Sequence, residues 1–195
     1  SCNDGFLNAN TATITSDGVD SFRFIATGFV EGAMDCVISE TSVTPGYDPS
    51  DPCVFDDVTG GEYTCELSNL AMDGTFTVNK VWDLSGAMGD TVDQTAIFTI
   101  MCTNEITSVE GGTPVITPWQ ALNGGYYETR QLVGEGAIVV TVDTTAGSAS
   151  CSASEVIETS GVESEDDCDA RTIDAGDMSE CTFTNTVFFE GIPTL

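Results

Sequence analysis

The chain has 195 residues, 41% of them hydrophobic, and a net charge of −28 from 32 Asp and Glu against three Arg and one Lys. That length predicts one or two domains with enough apolar material for a packed core. The charge excludes phosphate backbones, and so nucleic acid, as a partner, and it argues against anionic lipid headgroups. No apolar run reaches the roughly eighteen residues of a membrane span, so no membrane partner is expected of the mature form. The opening Ser1-Cys2 reads as a mature secreted product, already cleaved by a signal peptidase.

Taken in chain order, the first expected strand covers residues 21–26. Turn chemistry follows at Pro45-Gly46, at Asp48-Pro49-Ser50-Asp51-Pro52 and at Gly60-Gly61. Strands are predicted over residues 75–82 and 95–100, both rich in Thr, Val, Ile and Phe. Residues 106–127 carry Trp119, Tyr126 and Tyr127 among Gly and Pro, and read as a long loop with at most a short hairpin. Further strands are predicted over 137–142 and 182–187. No window of a dozen residues carries a helical stripe. Short strands at this spacing read as β-sandwiches.

Eight cysteines without a histidine read as disulfides, since the Cys-x2-Cys pairs of zinc sites are missing. Lack of histidine also removes the commonest general base and every Ser-His-Asp or Cys-His arrangement. Carboxylate pairs able to hydrolyse a glycoside arise by chance among so many acids, and none is singled out. The chain is therefore expected not to be an enzyme, and no cofactor is implied.

The cysteine spacing repeats. Cys36, Cys53 and Cys65 match Cys151, Cys168 and Cys181 at offsets of 115, 115 and 116, while Glu40 matches Glu155 and Asn69 matches Asn185. Both halves thus read Cys-x3-Glu, then Cys, then Cys-x3-Asn. The fourth cysteine of each set is Cys2 or Cys102. Two sets of four allow three pairings each; the favoured one is Cys2–Cys36 with Cys53–Cys65, and Cys102–Cys151 with Cys168–Cys181. The expected division is an N-terminal β-domain over 1–72, lacking its leading strands, and a complete β-sandwich over 73–195 with a β-prone tail.

The run Phe76-Thr-Val-Asn-Lys80-Val-Trp, then Phe98-Thr-Ile-Met-Cys102, then Cys-x3-Glu, then Cys181-Thr-Phe-Thr-Asn185-Thr resembles the prealbumin-like, SpaA/CnaB-type domains of bacterial surface proteins and pilins. The first half shows the middle and end of that pattern, from Cys36 to Glu40 and from Cys65 to Asn69. The resemblance implies an all-β fold of two tandem, disulfide-stapled, immunoglobulin-like or prealbumin-like sandwiches. It also implies a bond between a first-strand Lys and a last-strand Asn, assisted by a buried acid. By position these are Lys80, Asn185 and Glu155, and Lys80 is the only lysine in the chain. The final Ile192-Pro193-Thr194-Leu195 resembles the opening of a C-terminal sorting signal of Gram-negative secreted proteins, cut short before its Ser-Glu-Trp stretch, apolar span and basic tail.

These features lead to an expected function: a structural subunit of an extracellular or bacterial cell-surface filament. Its partner is a second copy, joined head to tail, with residues 187–195 adding a strand to the N-terminal domain of a neighbour. The alternative is an adhesin or carbohydrate-binding module, using Trp119, Tyr126 and Tyr127. Calcium is a further candidate ligand, through Glu163, Glu165, Asp166, Asp167 and Asp169, or through Asp48, Asp51, Asp56 and Asp57 in the first half. Neither loop has the spacing of a helix–loop–helix calcium site, so no metal is expected.

Overall fold

The computed structural model describes residues 1–7, 23–87, 93–115, 120–122, 125–157 and 159–188. Every regular element among them is a β-strand. The chain divides into two compact units, residues 1–43 with 48–70, and residues 44–47 with 71–195.

The first unit holds β1 (Phe6–Leu7) paired with β2 (Ala26–Thr27), and β3 (Met34–Ile38) paired with β5 (Cys53–Val58), all antiparallel. The predicted strand over 21–26 appears only at its end, in β2; residues 21 and 22 lie outside the described set. Cys2 pairs with Cys36 across β3 in an isolated bridge and is joined to it by a disulfide. A second disulfide links Cys53 to Cys65. Met34 and Val58 are the buried hydrophobic residues described in this unit. A further short ladder pairs β4 (Tyr47–Asp48) with β6 (Leu70–Ala71).

The second unit is a β-sandwich. One sheet has the order β15 (Val162–Asp166), β17 (Met178–Val187), β7 (Gly74–Asp83), β13 (Gly136–Val142), β9 (Ile106–Glu110). The other runs β10 (Thr113–Pro114), β12 (Gly125–Val133), β8 (Thr95–Cys102), β14 (Ala149–Ile157), β16 (Arg171–Ile173), with β11 (Gln120–Leu122) also on β12. Period-two alternation explains why the sheets close on each other. Along β7 the inward set is Phe76, Val78, Lys80 and Trp82; along β17 it is Cys181, Phe183, Asn185 and Val187. Phe98 of β8 meets Phe183 of β17 edge to face, ring centroids 5.3 Å apart, so the two sheets share one core. The Cys102–Cys151 disulfide joins directly opposed residues of β8 and β14, and Cys168–Cys181 ties the connection before β16 to β17.

The strands expected over 75–82, 95–100, 137–142 and 182–187 lie inside β7, β8, β13 and β17. Residues 106–127, expected as a loop, instead hold β9, β10, β11 and the start of β12. The reason is a crossover. Gly111 and Gly112 both adopt positive φ, at 83° and 59°, and carry the chain from one sheet to the other. Ile106 is buried and Val109 packs on the core, so β9 has the inward contacts of a strand at an edge. The tail also begins later than expected. Val187 is a buried end of β17, and the Phe188 amide donates to Gly161 O at 2.8 Å. Residues 189–195 lie outside the described set.

Phe98, fully buried, anchors the shared core. Phe98→Ala is expected to cost about 3–5 kcal/mol, read as a lower urea midpoint. Val156→Ala, at a side chain 58% exposed on the neighbouring strand, stays within about 0.5 kcal/mol.

Candidate functional site: a buried lysine, glutamate and asparagine

Three polar side chains occupy inward positions of the sandwich. Lys80 comes from β7 and Asn185 from β17, neighbouring parallel strands of one sheet; Glu155 comes from β14 of the other. In the parallel register Lys80 faces Phe183 and Asn185 faces Trp82, so the lysine and the asparagine are diagonal neighbours. Both fall on the same parity as the apolar core residues of their strands. That parity is what takes them out of water.

Lys80 is 2% exposed and Asn185 fully buried. The Lys80 Nζ lies 3.0 Å from Glu155 Oε1, and the Glu155 side chain is itself 2% exposed. Asn185 Nδ2 donates to the same oxygen at 3.1 Å. Ser164 Oγ donates to Glu155 Oε2 at 2.7 Å, which leaves the carboxylate engaged at both oxygens. The Lys80–Glu155 contact is an ion pair, and Asn185 Oδ1 has no hydrogen-bond partner among the described residues. Nζ also sits 4.7 Å above the Trp82 ring.

Burial pushes the Lys80 pKa below the usual lysine value, and the hydrogen-bonding reach and charge of Glu155 offset only part of that fall. A buried amine with a lowered pKa is a nucleophile in waiting. The asparagine amide beside it is an electrophile, and the carboxyl group between them can carry a proton from one to the other.

The other sequence candidates fall elsewhere. Asp166 accepts from the Cys168 amide at 2.9 Å. Asp167 accepts from the Thr182 amide at 2.7 Å and pairs with Arg171 at 2.8 Å. The Thr182 hydrogen bond is the main cause of the lowered pKa of Asp167. Asp169 is exposed. No group of three or more acids or cysteines among the described residues is arranged to hold a metal ion. Tyr126 packs against the core, and Tyr127 lines a small open pocket with Met101, Thr103 and Ser152. Trp119 lies outside the described residues.

One buried pair escaped the sequence reading. Glu128, 3% exposed, accepts from Arg130 Nε at 2.7 Å. Arg130 also donates to the Gly111 carbonyl at 2.9 Å, pinning the crossover between β9 and β10. The available signal was Glu-x-Arg on a strand, which sets both side chains on one face.

No family model matches the chain, and no curated protein matches it. Among solved structures it is similar to a pilus-presented adhesin of Streptococcus pyogenes, Spy0125 (Cpa), at 13% identity and a TM-score of 0.42, over 62% of this chain and 28% of that one. It is similar to the major pilin protein T3.2 of Streptococcus pyogenes at 13% identity and a TM-score of 0.40, over 78% of this chain and 66% of that one. A further major pilin of the same species matches at 15% identity and a TM-score of 0.35, over 86% and 76% of the two chains. The chain therefore spans little more than a quarter of the adhesin and just under two thirds of the T3.2 pilin.

Proposed function

We infer that the chain is a structural subunit of an extracellular fibre, built to carry tension. The observation that carries this reading is the pairing of β7 with β17. Among the described residues they are the first and last long strands of the second unit, and they lie side by side in parallel register from Thr75 with Met178 to Asp83 with Thr186. Tension applied where β7 begins and β17 ends pulls parallel neighbours in opposite directions along their length. The ladder is then loaded in shear, with its hydrogen bonds sharing the force instead of opening one by one. Four disulfides without a free cysteine among the described residues support an oxidising, extracellular setting. The acidic surface supports solubility there.

The buried triad reinforces the same two strands. Neutral Lys80 Nζ attacks Asn185 Cγ, the new C–N bond replaces the side-chain amide bond, and the amide nitrogen leaves as ammonia. Glu155 moves the proton from the attacking amine to the leaving nitrogen. The reaction needs no oxidant and no cofactor, and it consumes its own residues once, so no external substrate is turned over.

The neighbouring subunit enters through the first unit. Among the described residues, β3 is paired on both sides, with β5 and with Ser1 to Asn3, whereas β5 has a ladder partner only in β3. A free strand edge accepts another strand. The β-prone tail of a second copy supplies it, and a contact of that kind repeats without closing.

Three outcomes follow from these arguments. The intact mass of the protein is expected to be one ammonia below that of the disulfide-bonded chain, and Lys80→Met restores the ammonia. Of the 105 residue steps from Lys80 to Asn185, the disulfides Cys102–Cys151 and Cys168–Cys181 already bridge 49 and 13, so under force and with the disulfides intact the bond withholds about 43 more, roughly 150 Å of contour at about 3.5 Å per residue; release of that length by the wild type would sink the bond.

The second concerns pH. In Asn185→Leu, which cannot bond, Lys80 keeps a folded-state pKa below its unfolded value of 10.5. Between those two values the unfolded chain binds the extra proton, so stability rises with pH across that window. Urea midpoints of Asn185→Leu are expected to climb as the pH rises through that window towards 10.5, and Lys80→Met in the same background flattens the slope.

The third concerns assembly. Negative-stain images of the native protein are expected to show fibres, and deletion of residues 189–195 to leave short or single particles. Undiminished fibres after the deletion exclude the tail as donor.

A further inference from the structure

The first unit repeats the polar site of the second without its cation. Asn69 Nδ2 donates to Glu40 Oε1 at 3.1 Å, the same atoms at the same distance as Asn185 and Glu155. The other carboxylate oxygen is engaged in both copies: Ser50 N donates to Glu40 Oε2 at 3.2 Å, and Ser164 Oγ to Glu155 Oε2 at 2.7 Å. The sequence register agrees too, with Glu four residues after Cys36 or Cys151 and Asn four after Cys65 or Cys181.

What differs is the third member. In the second unit Lys80 arrives on β7, which runs parallel to the strand of Asn185. No residue of the first unit can play that part, because Lys80 is the only lysine in the whole chain. Lys80 is itself held within the second unit. Residues 181–185 lie inside a strand flanked by β15 and β7, whereas residues 65–69 belong to no strand and have no ladder partner among the described residues. Glu40 is half-buried and Asn69 exposed, so the pair is open to an incoming group.

We propose that Glu40 and Asn69 form a docking site for a lysine-bearing β-strand of another polypeptide, laid parallel to residues 65–69 as β7 is laid against β17. The lysine ammonium meets Glu40 as Lys80 meets Glu155. Charge favours such a guest. Arg23 is the only basic side chain of this unit, in a chain of net charge −28, so a cationic strand approaches down an attractive field. The internal copy also describes the guest: apolar side chains alternating towards the core, with one lysine on the same face. The chain's own tail does not qualify, since residues 187–195 contain no lysine. The proposal rests on reading Lys80, Glu155 and Asn185 as a site that receives a lysine, and it does not require the bond there to close.

The test uses a peptide with the sequence of β7, residues 74–83, titrated into the isotope-labelled full-length protein. The side-chain amide of Asn69 is followed by NMR. A saturable shift of the Asn69 amide is expected, with affinity falling about tenfold or more for the peptide carrying Lys80→Met and for the protein carrying Glu40→Gln. The peptide variant leaves the protein unchanged, so the comparison survives even where Glu40→Gln disturbs folding. Equal affinity for the two peptides, or no saturable shift up to about 1 mM, overturns the proposal. The intact mass of the same sample keeps the two readings apart: a protein that has lost no ammonia yet binds the lysine peptide refutes the bond and upholds the docking site.

Discussion

An ammonium group moved into an apolar core loses several kcal/mol of hydration, and only a well-placed carboxylate returns most of it. The arrangement of the second unit turns on that exchange. Strand parity sends Lys80 inward beside Phe76, Val78 and Trp82, and Glu155 must reach across from the opposite sheet to meet it. Asn185 then shares the oxygen that the lysine uses. Removing one partner leaves a buried charge uncompensated, at a cost of about 3–5 kcal/mol, whereas replacing the whole set with apolar side chains is often neutral or favourable. A buried ion pair is thus a poor way to stabilise a sandwich. Its chemistry is the better reason for its presence: a lysine with a lowered pKa, an amide beside it and a carboxyl group touching both.

The position of that chemistry in the sheet gives it mechanical meaning. Lys80 lies near the far end of β7 and Asn185 near the end of β17, on the very ladder that tension would shear. The proposed covalent link would take the chain between Lys80 and Asn185 out of the stretched path. The disulfides cannot do this, because Cys102–Cys151 and Cys168–Cys181 close loops lying wholly between Lys80 and Asn185. They restrict the unfolded chain and shorten what a sheared ladder releases, but neither joins β7 to β17.

Much of this was legible in the residues. The strands β7, β8, β13 and β17 announce themselves by alternating Thr with Val, Ile and Phe, and the parity of Phe76 and Val78 already points Lys80 inward. The internal repeat picks out Glu155 and Asn185. Other features were hidden for physical reasons. In β9 the sequence Ile-Thr-Ser-Val-Glu offers two inward apolar residues, and the glycines and proline after it read as loop punctuation, although Gly111 and Gly112 serve a turn between sheets. In β12 the core position of Glu128 is masked by its charge, which becomes tolerable only through Arg130 two residues on. The Glu-x-Arg pattern puts the pair on one face of one strand, but a one-dimensional pattern does not encode that this face is the buried one.

The inequality of the two units follows from the same strand arithmetic. In the second unit β14 lies between β8 and β16, and β17 lies between β15 and β7. In the first, β3 keeps its β5 neighbour, and the β8 position is represented by the short stretch around Cys2, whose bridge to Cys36 matches Cys102 with Cys151. The β7 position has no counterpart among the described residues, and there residues 65–69 leave the strand conformation that residues 181–185 adopt. With Met34 and Val58 as its described buried hydrophobics, the unit owes more of its order to Cys2–Cys36 and Cys53–Cys65 than to burial. Disulfides can hold Glu40 and Asn69 in register without the strand that would cover them. The same staples that compensate for a small core therefore keep an unfilled position ready, and a strand that brings both apolar cover and a cation gains from burial and from charge at once.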